Sequence, residues 1–261
     1  MSEKIIVNKR NGIGWLTLNK PEKRNAICYE MWQLLRESLL AFSRDDEIRV
    51  VILKGAGEHG FSAGADISEF PEQLSSQQAI VDYQAIIRAA LDALAGLTKP
   101  SIAMLHGLCF GGGASIALYS DIRIASQNTR IAIPVARIGQ AYQWQDVQAL
   151  VQLIGPAFTR EMLYTGRHFT AVEAMQMGLV NRVVADDELA AFVEEYAEQI
   201  SANAPLTINA VKQTVREVLK DPAARDLALI DRLVEACLTS SDCEEGYQAF
   251  IQKRRPRYKG R

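Results

Sequence analysis

Twice in this chain a strand-like run ends in a cluster of small residues that opens a helix. The segments are GFSAGADISEF, Gly60 to Phe70, and FGGGASIALYSD, Phe110 to Asp121. Glycine at a helix start bares backbone N–H groups that no intrahelical carbonyl reaches, at the positive end of the helix dipole. An anion suits that place, or an oxygen that becomes anionic during a reaction. One such turn means little, because glycine near a helix start more often serves close packing. Two of them on neighbouring parallel strands can aim two N–H groups at one point, as an oxyanion hole requires.

The rest of the chain supplies those strands. KIIVNKRNGIGWLTLNK reads as a hairpin about Asn11-Gly12, a dipeptide that suits a type I′ turn. YEMWQLLRESLLAFSRD has helical spacing at Met31, Leu34, Leu35, Leu39 and Phe42. IRVVILKGAG reads as a buried strand, DYQAIIRAALDAL as a helix and PSIAMLHGL as one strand. A helix follows the glycine triplet, and then the strands DIRIAS and RIAIP. Strands alternating with helices point to an α/β fold, mostly parallel, with crossover helices. From about Ala204 the pattern changes to three helical segments without a strand, which divides the chain into a core, 1–203, and a helical region, 204–261. There Ile208, Val211, Val215, Val218 and Leu219 form an apolar stripe that needs cover, from the main domain or from another subunit.

Composition narrows the function. With 48% hydrophobic and 23% charged residues the chain reads as globular, and a net charge of −2 gives no global pull toward nucleic acid or anionic membrane. The cysteines, Cys28, Cys109, Cys237 and Cys243, are scattered, which suits reduced thiols in the cytoplasm. No apolar run is long enough for a signal peptide or a membrane span. GFSAG also fits the G-x-S-x-G elbow of a nucleophilic Ser62, for which Asp121 and His168 could be nominated as partners; so short a motif carries little weight. His106 and Cys109 lack further ligands, so no metal is expected. No GK[ST] follows the triplet and GGGAS is not G-x-G-x-x-G, so neither a P-loop nor a dinucleotide site is expected.

Five segments in order, NKPEKRNAI, FSAGADISEF, KPSIAMLHGLCFGGGASIALYSDIRIAS, YTGRHFTAVEAMQMGLVNRVV and EGYQAFIQKRRP, resemble the crotonase (enoyl-CoA hydratase/isomerase) superfamily over nearly the whole chain. The resemblance implies a crotonase-type ββα spiral core with a C-terminal helical trimerisation region. It implies an acyl-CoA substrate whose thioester carbonyl lies between the N–H groups of Ala65 and Gly112. Coenzyme A would meet Lys23, Arg24, Ala26 and Ala63, and Phe250 and Lys253 from the C-terminal region, often that of a neighbouring subunit. It further implies a homotrimer or hexamer and no cofactor apart from the coenzyme A that the substrate carries. The basic tail KRRPRYKGR leaves RNA binding, known in one branch of the family, as a minor alternative.

Hydratases of this family manage water with two glutamates, and this chain departs from them at both. Ser115 stands three residues beyond the oxyanion glycine, and Val135 follows the proline of IAIPVARIG. The position of a further aspartate used elsewhere in the family falls on Gln143. Without such a pair, hydration loses general acid–base help worth about 10²–10⁴-fold per group. Tyr142 matches the tyrosine of methylmalonyl-CoA decarboxylase, a family member that carries histidine where this chain has Ala65. Loss of carbon dioxide from a malonyl-type thioester makes the enolate without a base, so a decarboxylase-like lyase is slightly favoured. Hydration remains open, with Tyr142, Glu69 or Asp146 placing water; Asp146 is four residues beyond Tyr142, so one helical turn would bring both to one face. A homologue that binds CoA esters without turning them over is the third reading.

Overall fold

The computed structural model describes residues 4–261. β1 (Ile5–Arg10) and β2 (Ile13–Leu18) form the expected antiparallel hairpin, and both turn residues have positive φ, 53° at Asn11 and 74° at Gly12, as a type I′ turn needs. α1 (Tyr29–Arg44) buries Met31, Trp32, Leu35, Leu39 and Phe42, while Leu34 stays at the edge.

Three units of two strands and a helix follow. β3 (Val50–Gly55) and β4 (Gly60–Ser62) lead to the short helix α2 (Phe70–Gln73) and the long α3 (Gln77–Ala95). β5 (Ser101–Leu105) and β6 (Leu108–Phe110) lead to α4 (Gly112–Tyr119). β7 (Ile122–Ser126) and β8 (Arg130–Ala132) lead to α5 (Trp144–Thr165), which is kinked at Gly155. β9 (Phe169–Thr170), α6 (Ala171–Gln176), β10 (Arg182–Val184) and α7 (Leu189–Ser201) complete the core.

The first strand of each unit joins a six-stranded sheet, β1-β2-β3-β5-β7-β10, parallel except at the hairpin. The second joins a four-stranded sheet, β4-β6-β8-β9, antiparallel only at β9. PSIAMLHGL is therefore not one strand. The chain breaks at His106-Gly107 and crosses from one sheet to the other, with Gly107 at φ 50° and a Cβ there within 2.5 Å of the His59 carbonyl oxygen. A run of apolar letters does not show a switch of sheets.

Alternation along the six strands separates two cores. Ile13, Trp15, Val50, Ile52, Ile102 and Ile124 pack beneath Leu189, Val193 and Ala197 of α7. Leu16, Val51, Leu53, Ala103 and Leu105 face α1, α3 and α4. Every side chain of α4 from Gly113 to Leu118 is buried, so this helix is held on all sides.

Beyond the core lie α8 (Pro205–Val218), α9 (Leu227–Leu238) and α10 (Ser241–Ile251). Lys212 ties α8 to the core through the Lys99 carbonyl, 2.9 Å, and the Asp121 carboxylate, 2.7 Å. Val211, Val215, Val218 and Leu219 nevertheless stay exposed, so the main domain does not cover the stripe.

Candidate active site

The two small-residue turns meet. A Cβ on Gly64 would lie 3.1 Å from the Phe110 carbonyl oxygen and 3.6 Å from Gly111 Cα. Gly111 itself takes φ 47°, a conformation that favours glycine, and turns the chain from β6 into α4. Two residues on, Gly113 lies so close to β4 that a Cβ would stand 2.6 Å from Ser62 Cβ. The triplet thus serves both purposes, close packing at its end and bare backbone at its start.

Ala65 pairs as an isolated parallel bridge with Ile27: the Ile27 N–H donates to Gly64 O at 2.7 Å and Ile27 O accepts from the Asp66 N–H at 3.0 Å. Successive N–H groups of an extended chain point to opposite sides, so the Ala65 N–H points away from Ile27. Gly112 is the first residue of α4, where a helix has no partner for its N–H. Neither N–H has an acceptor among the described residues. A Cβ on Gly112 would touch Trp32 at 3.0 Å and Ile27 at 3.5 Å, so the bridge partner of Ala65 also lies against Gly112.

A buried frame holds the first turn. Asn25 Nδ2 donates to the carbonyls of Ala56, 2.9 Å, and Gly60, 2.8 Å, and its Oδ1 accepts from the Lys20 N–H. The Ser62 hydroxyl donates to Asn25 O at 2.8 Å and accepts from the Gly64 N–H at 3.1 Å. Ser62 is fully buried and committed to backbone. Asp121 is engaged with Ser101 and Lys212, and His168 lies exposed on the ring of Phe110. None of the three residues of the elbow reading bonds to another, and Ser62 and Asp121 are committed elsewhere, so that reading falls.

The polar wall beside α4 is a ladder of two rungs. Ser115 Oγ and Tyr142 Oη are 2.7 Å apart. One turn further, Tyr119 Oη donates to Asp146 Oδ1 at 2.7 Å, and Arg88 Nη1 donates to both, 2.9 Å and 3.2 Å. Burial first, and then the charge of Asp146, pushes the Tyr142 hydroxyl well above its ordinary range. Burial and the bond to Asp146 do the same at Tyr119. Both are neutral hydroxyls at physiological pH.

Two expectations need correction here. Tyr142 lies before α5, outside the helix, so it does not share a helical face with Asp146. Asp146, buried and bonded to Arg88 and Tyr119, is tied into the second rung. Glu69 is also occupied in part: its Oε2 accepts from the Tyr29 N–H at 2.8 Å and from Gln73 Nε2 at 2.6 Å. Val135, half-buried in a short 3-10 turn, packs in the same apolar cluster as Tyr142. Gln143 caps the start of α5 with its backbone and is exposed.

At the turn before Ala26, Lys23 is bonded to Asp66, 3.0 Å, and to Ser68, 2.8 Å, and Lys20 reaches the same carboxylate. Burial opposes ionisation of Asp66, but the bonds from Lys20, Ser68 and Lys23 outweigh it and hold its pKa far below the usual carboxylate range. Arg24 is exposed at φ 53°, with no ion pair among the described residues. The Ala63 N–H is taken by Arg24 O, and the Ala26 N–H by Lys23 O. Phe250, 84% exposed, and Lys253 lie at the end of α10, which packs against α9, and are not joined to the other site residues. Sequence reasoning missed Arg88 and Tyr119; an arginine within a helix and a tyrosine at the end of another carry no signal of their pairing.

Comparison with known proteins agrees with this architecture. Residues 8–261 match the sequence model of the family described as enoyl-CoA hydratase/isomerase. The carnitinyl-CoA dehydratase of Salmonella typhi is 37% identical over 265 residues, covering 100% of both chains. An enoyl-CoA hydratase/carnithine racemase from Magnetospirillum magneticum superposes with a TM-score of 0.95 at 32% identity, over 100% of this chain and 97% of the other. An enoyl-CoA hydratase from Bacillus anthracis gives 0.93 at 30% identity, over 99% and 100%.

Proposed function

From the premise that this chain belongs to the enoyl-CoA hydratase/isomerase family, the crotonase superfamily, we propose that it is a lyase that decarboxylates a malonyl-type acyl-CoA through an enolate. The N–H groups of Ala65 and Gly112 hold the thioester oxygen as negative charge grows on it; each such donor is worth about 3 kcal/mol in the transition state. The bond from the α-carbon to the carboxylate breaks, its electron pair enters the enolate, and carbon dioxide leaves. A proton then reaches the α-carbon from the Ser115–Tyr142 hydroxyl pair, which solvent refills.

The observation that carries this reading is the 2.7 Å contact between Ser115 and Tyr142, a neutral pair packed on the same apolar cluster as Val135; by the sequence resemblance Ser115 and Val135 match the glutamates of the family's hydratases. Enolate formation by decarboxylation needs no base, and the Ser115–Tyr142 rung presents none. Arg24, exposed and without an ion pair among the described residues, is the basic side chain left to meet a coenzyme A phosphate, with the carbonyls of Ala26 and Ala63 for the rest of the nucleotide and pantetheine. Phe250 and Lys253 would reach that ligand from a neighbouring copy in a trimer or hexamer. The exposed stripe of α8 supports such an assembly. No helix among the described residues is long and apolar enough to cross a membrane, which suits a cytoplasmic enzyme.

The test is mass spectrometry of products from methylmalonyl-, ethylmalonyl- and crotonyl-CoA, wild type beside Tyr142→Phe. Loss of carbon dioxide supports the reading, and gain of water by crotonyl-CoA with no decarboxylation overturns it. Hydration is the second reading, favoured by the likeness to a carnitinyl-CoA dehydratase and by Glu69, whose Oε1 has no bond among the described residues and could orient water.

A further inference from the structure

The helix that carries Gly112 ends on a buried guanidinium. Arg123, in β7, is 4% exposed. Its Nη1 donates to the carbonyls of Ala117, 3.2 Å, and Ser120, its Nη2 to Asp121 O at 3.3 Å, and its Nε to Leu179 O at 2.7 Å. Three of these four carbonyls belong to the last turn of α4 and the residues just after it, where a helix has no donors of its own. None of the partners is a carboxylate. The nearby Asp121 carboxylate is turned to Ser101, 2.7 Å from its N–H, and to Lys212, 2.7 Å.

Burying a cation without an anion against it is expensive, and a neutral side chain could fill the same apolar space. Burial pushes the pKa of Arg123 down to about 10, which leaves it charged at neutral pH. What it faces is the negative end of a helix dipole. α4 has only 8 residues. At a rise of about 1.5 Å per residue, its two ends are roughly 12 Å apart. Over so short a span the negative end offsets part of the field of the positive end, and a cation on the carbonyls removes that offset.

We propose that Arg123 is a positioning residue for the oxyanion site: its charge, acting through α4, strengthens the hold of the Gly112 N–H on the thioester oxygen. This rests on the reading of Ala65 and Gly112 as the oxyanion donors. A unit charge at roughly 12 Å and an effective dielectric of about 20 corresponds to a change of about tenfold in rate, or about 1.4 kcal/mol.

The experiment is vibrational difference spectroscopy of butyryl-CoA, carbon-13 labelled at the carbonyl, bound to the full chain. In wild type the carbonyl stretch falls below its value in water. Arg123→Gln loses part of that downshift and lowers kcat about tenfold with KM within about twofold. Arg123→Lys keeps the charge and most of the downshift. Asp121→Asn removes an opposing charge beside the same helix end and deepens it. A merely structural Arg123 would lower the melting temperature of both arginine variants and leave the frequency alone, and that result overturns the proposal. Should Arg123→Gln not fold, an unchanged frequency in Asp121→Asn overturns it instead. A wild-type carbonyl with no downshift would remove the oxyanion site itself, and the proposal with it.

Discussion

Replacing Tyr142 with phenylalanine separates chemistry from packing at the candidate site. The ring keeps its place among the apolar neighbours, and only the hydroxyl bonded to Ser115 is lost. The Ser115 hydroxyl retains a long contact, 3.4 Å, to Gly111 O, so it is not left bare. The stability cost is one net hydrogen bond, about 1 kcal/mol, which for a chain of this length lowers the melting temperature by roughly 2–4 °C. If Tyr142 delivers the proton to the enolate, turnover falls by about 10²–10⁴-fold, far more than that structural cost explains. The assay follows loss of carbon dioxide by mass spectrometry beside a thermal melt of the same preparation. The pH dependence is a second reading of the same group. Because burial and Asp146 raise the Tyr142 pKa, its proton stays in place beyond the ordinary value of 10.0, and the rate shows no loss from this group through neutral and mildly alkaline pH. The sign for stability follows: the contribution is complete below pH 10 and declines above it, where the unfolded chain ionises before the folded one. Turnover of Tyr142→Phe within about tenfold of wild type would refute the role, since general acid help is worth at least about 10².

Other residues give independent checks. Gly113→Ala sets a Cβ 2.6 Å from Ser62 Cβ, and the strain between β4 and α4 is expected to cost about 1–3 kcal/mol, measured by denaturant unfolding. Asp66→Asn leaves Lys20 without its partner and is expected to cost about 2 kcal/mol at neutral pH. Since Asp66 ionises far below its ordinary 3.8, the wild-type advantage is present above that pH and disappears as pH falls through the folded value, which acid unfolding of the two proteins tests. Arg24→Ala is expected to raise KM for a CoA thioester about fivefold with kcat unchanged, and raising the salt concentration should shrink the difference, as expected for an exposed charge on phosphate.

The sequence carries the fold where chemistry is local. Asn11-Gly12 marks the hairpin because few other dipeptides accept two positive φ values, and the spacing from Met31 to Phe42 marks α1 because one face must be dry. It fails at His106-Gly107, where the second strand changes sheets. Apolar content is the same on both sides, and only the tertiary course of the chain distinguishes them. At the site, the meeting of the two turns is legible because both follow strands and both are stripped to small residues, which close approach of backbones requires. The side-chain ladder is not. Ser115 and Tyr142 lie 27 residues apart, and nothing in either neighbourhood names the other. The spacing from Tyr142 to Asp146 even misleads, because α5 begins only at Trp144, two residues after Tyr142.

On the proposed reading the oxyanion donors are backbone, so exchanging the wall side chains is expected to alter the reaction while leaving the carbonyl grip in place. That separation allows the wall to be rewritten. Hydration asks for two groups, one to take a proton from water and one to give a proton to carbon, and the matching positions hold Ser115 and Val135. Ser115→Glu alone should fail, because Ser115 Oγ is already 2.7 Å from the Tyr142 hydroxyl and a longer side chain has no room there. Combining it with Val135→Glu and Tyr142→Ala opens the space and supplies both carboxylates. Each general acid or base contributes about 10²–10⁴-fold, so the triple variant is expected to add water to crotonyl-CoA at least about 10²-fold faster than the parent while losing decarboxylation. A triple variant that folds and binds the thioester but gains no hydration would show that more than the wall separates the two reactions. The grip of Ala65 and Gly112 would then have to be tuned to one substrate as well.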